Sequence, residues 1–376
     1  MNKKLEKGGK NNGQKRPCRK KADRKKGYIA RVLLLALVLC FSFSAFLPNF
    51  AIAKTVKAGK KIFHWKMQNY GEAGAWYYKE WLGFVELVKR MSNGRLIIDV
   101  YPSGTLVPNT EMLQAVASGT LDMANTCPIY HTGLVPIANL EYGFPGQYRG
   151  LDDQAVLARN AGFLDVLREA YAEKGVYLLN IGSDAGLALW LRKPISKLED
   201  LRKLKIRAGG GLAKVLKRLG AAVVYMPGSE IYTALSTGVI DGVCYGGAST
   251  AASIGIPEVT KYYLYPELYG GHFCTDLLVN PKKWKSLPDD LKAILEAASW
   301  TYFDVTGRRS MYEDAKVRED FVKKGGKLIS LTKKDMDKIT KISLEEMDKL
   351  AAKDPYCARA VKLMKQYMKR MGYYPQ

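Results

Sequence analysis

LKIRAGGGLAKVLKRLGAAVVYMPGSEIYTALSTGVIDGVCYGG, residues 204–247, alternates strand-like and helix-like patterns. Leu204-Lys205-Ile206 is a short apolar strand pattern that delivers Arg207 to its end. Gly209 to Gly211 follow, and then Leu212, Val215, Leu216 and Leu219 recur at helical spacing. Ala222–Tyr225 is a second strand pattern, Glu230 to Thr237 a second helix pattern, and Val239–Val243 a third strand pattern ending at Cys244-Tyr245-Gly246-Gly247. An arginine and a glycine turn at a helix N-terminus suit an anion. The guanidinium offers a planar fork to a carboxylate, and first-turn amides add donors. Ligands in open α/β sheets gather outside the carboxyl ends of the strands, so Arg207 and residues 244–247 are expected to line one crevice. A strand-end arginine also serves as a surface ion-pair residue, and the pattern alone leaves both roles open.

Working outward, 62–67 reads as a strand ending at Gln68-Asn69, 75–91 as an amphipathic helix, and 96–101 as a strand. Thr110 to Ser118 is a helix pattern stopped by Gly119, and 121–124 is another strand. This order implies an α/β domain with a mainly parallel sheet. Residues 127–149 read as a long loop, 152–174 as one helix, and 176–181 as a strand. The glycine-bracketed segment 182–186 then reads as a hinge, since glycine absorbs backbone rotation cheaply. A strand at 187–191 and the opening stretch complete a second α/β domain. The strand 273–279 is expected to return the chain to the first sheet. Pro288 to Lys324 is a helical pattern with no internal proline, spanning roughly 50 Å at 1.5 Å per residue, and is expected to lie across both lobes. Residues 333–371 read as two more helices.

The 376 residues carry a formal net charge of +23, with 47% hydrophobic and 25% charged side chains. Thirteen Lys/Arg and two acidic residues within 1–31 account for +11 of that charge. The remaining charge is dispersed over helical patterns, which together with the absence of zinc-finger spacing or RNP-like signatures speaks against nucleic acid. The basic start, the apolar run 32–47 and Ala51-Ile52-Ala53 read as a cleavable secretory signal, cut after Ala53. Leu39 is too bulky to make Cys40 a lipid-attachment site. Cys127, Cys244, Cys274 and Cys357 remain in the mature part, and the spacing favours no disulfide pairing. The three histidines show no metal-ligand spacing.

The pieces VKRMSNGRLIIDVYPSGTL (88–106), LQAVASGTLDMA (113–124), WLRKPISKLEDLRKLKIRA (190–208), EIYTALSTGVIDGV (230–243) and DLLVNPKKWKSLP (276–288) resemble the solute-binding receptors of TRAP (tripartite ATP-independent periplasmic) transporters. The resemblance runs from about 62 to 292 and looks nearest the keto-acid receptor branch. It implies an α/β, two-lobed periplasmic-binding-protein (Venus-flytrap) fold with a long helix spanning both lobes. On this basis residues 1–53 are the signal peptide, 54–181 with 271–305 form lobe I, and 182–270 with 306–376 form lobe II. It further implies an organic acid gripped through its carboxylate by Arg207 and delivery to TRAP-type membrane subunits; the cleavable leader sets the expectation of a periplasmic location, and a monomer is expected.

That branch shows a Glu-Trp pair where this chain has Cys244-Tyr245, and a glutamine where it has Gly186. Those side chains help hold a metal ion in the branch, so neither metal nor cofactor is expected here. The same changes enlarge and de-charge the pocket, which suits a monocarboxylate with a bulky, apolar or aromatic body. Besides Arg207, the ligand-binding candidates are Tyr245, Cys244, Tyr130, Gln68, Tyr269 and Gly186; each also has a plain role in core or wall. No nucleophile elbow or phosphate loop is present, and no catalytic residue is assigned. A Cys244–His272 pair in the same crevice keeps an exported hydrolase or transferase as one alternative. A soluble receptor that reports to a sensor protein is another.

Overall fold

The computed structural model describes residues 61–269 and 272–375; the signal-peptide reading, Cys40 and the cleavage point lie outside them. β1 (Phe63–Asn69) buries Trp65 and Met67 while His64 and Lys66 face solvent. α1 (Trp76–Met91) buries Tyr78, Trp81, Phe84 and Val88, a stripe at helical spacing. β2 (Leu96–Tyr101) and, after α2 (Met112–Ser118), β3 (Met123–Thr126) both run parallel to β1. The segment expected as a loop contains α3 (Ala138–Tyr142). The single helix expected over 152–174 is two, α4 (Leu151–Asn160) and α5 (Phe163–Ala172). The break falls at Gly162, whose φ of +82° leaves the helical region.

β4 (Tyr177–Ala185) runs on through the expected hinge. Gly182 is required there for packing, because a Cβ would collide with the Thr275 hydroxyl on the neighbouring strand. β5 (Leu189–Leu191), β6 (Lys205–Arg207), α6 (Gly210–Arg218), β7 (Ala222–Val224), α7 (Gly228–Ser236) and β8 (Gly242–Cys244) follow. Then come α8 (Ala248–Ser253), α9 (Ile256–Val259) and β9 (Tyr262–Leu264). β10 (His272–Val279) returns the chain to the first sheet, as expected, pairing antiparallel with both β3 and β4. The first sheet therefore has the order β2-β1-β3-β10-β4.

After α10 (Pro281–Ser286), α11 (Asp289–Lys323) runs 35 residues without interruption. It packs on α1 and β4 beside the first sheet and on α8 beside the second. β11 (Lys327–Ile329), unforeseen in the sequence, completes a second sheet of order β11-β9-β5-β8-β6-β7. α12 (Lys333–Ala351) packs on α6, and α13 (Pro355–Arg370) on α5. Trp65, Trp81, Phe84 and Leu295 form the core under the first sheet, and Trp190, Tyr263 and Phe321 that under the second.

Asp314 of α11 ties the long helix to α8. Its Oδ1 accepts hydrogen bonds from the Ser249 amide at 2.7 Å and hydroxyl at 2.6 Å. Burial, only partly offset by these bonds, pushes the Asp314 carboxyl up to about 6. A carboxyl raised on folding contributes stability below its unfolded value, near 4, and that contribution is lost as pH rises through the folded value. Wild-type stability should therefore fall between about pH 4 and pH 6 by up to roughly 3 kcal/mol from this group. Asp314→Asn keeps the acceptor and should be more stable than wild type at pH 8 but not at pH 4. Melting temperatures across that range check this; parallel profiles for the two proteins contradict it.

Candidate functional site

β6 and β8 are parallel neighbours, with Arg207 opposite Val243, so their carboxyl ends point the same way. The Arg207 side chain is 8% exposed. Its Nε donates to the Met226 carbonyl at 3.2 Å and its Nη1 to the Cys244 carbonyl at 2.8 Å. The guanidinium carbon lies 4.9 Å from the Tyr225 ring centroid and 5.3 Å from that of Tyr245. Arg207 makes no ion pair with a carboxylate among the described residues, and its Nη2 has no hydrogen-bond partner there. A cation so buried is held in place by carbonyls and aromatic faces while one edge of its fork stays open.

That edge faces a cavity of about 650 Å³, lined from the second-sheet side by Arg207, Tyr225 and Tyr245 and from the first-sheet side by Tyr70, Tyr130 and Asp184. Tyr77 and Tyr142 also line it, which makes six tyrosines in all. Burial holds the Tyr70, Tyr77, Tyr130 and Tyr142 phenols above the usual range, so they enter any ligand contact as neutral hydroxyls. Asp184 is 5% exposed and accepts a hydrogen bond from the Tyr70 hydroxyl at 2.8 Å. A second cavity of about 730 Å³ lies between α9, β9 and the end of α11. Its charged residues, Glu258, Lys261, Asp320, Lys324 and Lys327, are all exposed, and it lacks a buried charge to orient a ligand.

The structure brings Arg207, Tyr245 and Tyr130 to one cavity, with Gly186 between the lining residues Asp184 and Leu187. Cys244 contributes its carbonyl to Arg207, but its thiol is 4% exposed and does not line the cavity. Burial pushes that thiol up to about 12, so it is neutral, which disfavours a nucleophilic role. Gln68 is placed elsewhere. Its Oε1 accepts from the Leu106 and Val107 amides at 2.8 and 3.0 Å, and its Nε2 donates to the Val107 carbonyl at 2.8 Å. It clamps a loop because a fully buried amide needs partners inside the protein. Tyr269 is likewise buried, and its hydroxyl accepts from the Leu212 amide at 3.0 Å. That bond takes up one of the first-turn amides expected to donate to a ligand, while Gly209 at the same helix N-terminus lines the cavity.

Sequence reasoning missed Tyr70, Tyr77, Asn109, Asp184 and Tyr225. Tyr225 had a signal, since it follows a strand parallel to that of Arg207. Asp184 had a weaker one, as a carboxylate bracketed by glycines. Beneath the cavity wall, next in sequence to Tyr130 and Tyr142, lies a buried polar cluster. The His131 Nε2 is 2.7 Å from Asp276 Oδ2. The Tyr171 hydroxyl is 2.5 Å from Glu141 Oε2 and 3.1 Å from Asp276 Oδ2.

Comparison with known proteins places this geometry in context. The family described as bacterial extracellular solute-binding protein, family 7, matches residues 68–354. The monocarboxylate 2-oxoacid-binding periplasmic protein of Nostoc sp. is 29% identical over 290 residues, covering 76% of this chain and 78% of that protein. Among solved structures, a TRAP periplasmic solute binding protein from Colwellia psychrerythraea with bound calcium and pyruvate superposes with a TM-score of 0.75 at 25% identity, covering 84% of this chain and 96% of that one. Another, from Chromohalobacter salexigens with bound (S)-(+)-2-amino-1-propanol, gives a TM-score of 0.72 at 26% identity, covering 83% of this chain and 97% of that one.

Proposed function

The chain belongs to bacterial extracellular solute-binding protein family 7, and from that premise we propose that it is an extracytoplasmic receptor that captures a small carboxylic acid between its lobes and delivers it to a TRAP-type membrane transporter. The carrying observation is Arg207, a buried guanidinium with an open edge on a cavity of about 650 Å³ and no acidic partner among the described residues. A carboxylate is the ligand group that matches that fork in charge and in planar geometry. The tyrosine-rich lining supports a ligand with a bulky or aromatic body. Lobe I is proposed as 54–181 with 271–305 and lobe II as 182–270 with 306–376. The membership of β1–β3 and β10 in one sheet and of β5–β9 and β11 in the other supports this division, with β4 of the first sheet crossing the 181/182 boundary.

Binding without turnover is part of the proposal. The neutral, buried Cys244 thiol supports it over the exported-hydrolase alternative, since only a thiolate is an effective nucleophile. Export through a cleavable leader and action as a monomer complete the reading. Metal-independent binding is proposed too, because the chain has Cys244-Tyr245 and Gly186 where the keto-acid branch places its metal-holding side chains. Titration calorimetry with carboxylic acids of increasing body size, in EDTA and then in calcium, tests both points. The expected result is one binding event, equal in the two buffers, with the acid recovered unchanged. A dissociation constant that falls only with calcium contradicts metal independence, and conversion of the acid contradicts the receptor function.

A further inference from the structure

We infer that the carboxylate held by Arg207 is shared with the N-terminus of α7, where the Gly228 and Ser229 amides and the Ser229 hydroxyl take the lone pairs that the guanidinium leaves unmet; this rests on the carboxylate-receptor function proposed above. The donor count calls for such a second contact. A carboxylate offers about four lone-pair sites, and a guanidinium carries five N–H donors. In Arg207 the single Nε hydrogen goes to the Met226 carbonyl and one Nη1 hydrogen to the Cys244 carbonyl. The edge that remains, Nη1 with the unpartnered Nη2, meets a carboxylate from one side only. Once closed lobes exclude water, the lone pairs on the far side need donors from the protein, because an unmet buried acceptor is costly.

The start of α7 lies beside that edge. Met226, whose carbonyl holds the Arg207 Nε, immediately precedes the Pro227 N-cap. Pro227, Gly228 and Ser229 then line the cavity in succession. Pro227 has no side-chain oxygen with which to cap the helix, and the Gly228 and Ser229 amides have no hydrogen-bond partner among the described residues. Free first-turn amides and the positive end of the helix dipole suit an oxyanion. An uncapped helix start marks nothing by itself; here the buried guanidinium, 8% exposed and with its Nη2 unpartnered, opens into the same cavity. Glu230, the third residue of the helix, is exposed and does not line the cavity. The other helix that begins here, α6, contributes only its N-cap Gly209 to the lining, and its Leu212 amide is taken by the Tyr269 hydroxyl.

Tyr245 connects Arg207 to α7. Its ring centroid is 5.3 Å from the guanidinium carbon, and a Cβ on Gly228 would lie 2.6 Å from its hydroxyl oxygen. Glycine at 228 therefore lets the phenol lie against the start of the helix. Burial, partly offset by Arg207, holds that phenol above the usual range, so it is a neutral donor between the guanidinium and the amides.

The test is titration calorimetry of the mature protein with pyruvate, benzoate and phenylacetate in EDTA. Ser229→Asp puts a carboxylate on the first turn of α7, where it agrees with the helix dipole and competes for the free amides. It should keep or raise the melting temperature of the unliganded protein while weakening the tightest-binding acid about tenfold or more. Ser229→Ala keeps the amides and loses only the hydroxyl, and should cost roughly two- to fivefold. Glu230→Gln changes the charge by the same amount on the same turn but outside the cavity, and should move affinity by about threefold or less. Unchanged acid affinity in Ser229→Asp overturns the inference. So does a shift in Glu230→Gln as large as that in Ser229→Asp, which would make the effect one of general field and not of contact. Acid binding that Arg207→Ala weakens and Ser229→Asp does not removes α7 from the site and leaves the receptor function standing. If none of the acids binds, or none depends on Arg207, both the inference and the carboxylate-receptor function fall.

Discussion

Arg207→Ala should weaken binding of the captured acid about a hundredfold or more while leaving the fold in place. Lobe closure would remove the carboxylate and the guanidinium from water together, so each depends on the other to offset desolvation. Removing one partner of a buried ion pair costs about 3–5 kcal/mol, and about 1.4 kcal/mol corresponds to one decade of affinity. Among the described residues Arg207 hydrogen-bonds two carbonyls, those of Met226 and Cys244, and no carboxylate, so its loss strands no partner charge there. Arg207→Lys should be impaired as well. A single ammonium cannot reach both carbonyls and still present a two-pronged edge to a carboxylate. The informative comparison is between the acid and its neutral amide. Wild type should prefer the acid, Arg207→Ala should lose that preference, and far-UV circular dichroism should be the same for both proteins. Wild-type affinity for the acid in Arg207→Ala would make Arg207 structural and dismiss the assigned site.

Asp276→Ala should lower stability by about 3–5 kcal/mol, seen as a shift in the urea unfolding midpoint. Asp276 and Glu141 are fully buried and His131 is 2% exposed, so none of them has water to fall back on. Tyr171 has one hydroxyl hydrogen to share between two carboxyl groups. Burial and the nearby Asp276 carboxyl push the Glu141 carboxyl well above the usual range. The Tyr171 hydroxyl donates towards both Glu141 and Asp276, and His131 adds a second donor at Asp276. Asp276 is thus the acceptor on which the cluster converges, and without it two buried donors lose their partner. Asp276→Asn, which keeps one carbonyl oxygen there, should lose less. Equal midpoints for wild type and Asp276→Ala would show that the cluster contributes nothing to stability. Because Tyr130 and Tyr142 adjoin its members in the chain, the cluster also underlies the cavity wall.

How far the site could be read from the chain depended on where each residue sat. Arg207 and Tyr245 were legible because each follows a strand in a strand–helix alternation, where the carboxyl end marks the ligand side. Gln68 follows the same rule and fails it. Both faces of the first sheet are covered, so a polar residue at a strand end can turn to a loop instead of the cleft, and Leu106-Val107 took it. Tyr269 looked like a wall because it is aromatic in a tyrosine-rich segment, but its hydroxyl found the Leu212 amide, which no local pattern foretells. Asp184 was passed over because glycines on either side suggested a turn. The segment is instead a strand, held by pairing with residues nearly ninety positions later.

The α/β class, the long uninterrupted helix and the strand-end arginine follow from the sequence by itself. Repeats near 3.6 and 2 residues are set by neighbours along the chain, and they survive whatever the rest of the molecule does. The tertiary structure alone decided which strand ends meet, that β11 joins a sheet begun far upstream, and that Asp184 and Asn109 stand across one cavity from Arg207. Those outcomes depend on long-range pairing and on how each buried polar group finds a partner. That partner can be any residue the fold brings within about 3 Å, and spacing along the chain carries no record of it.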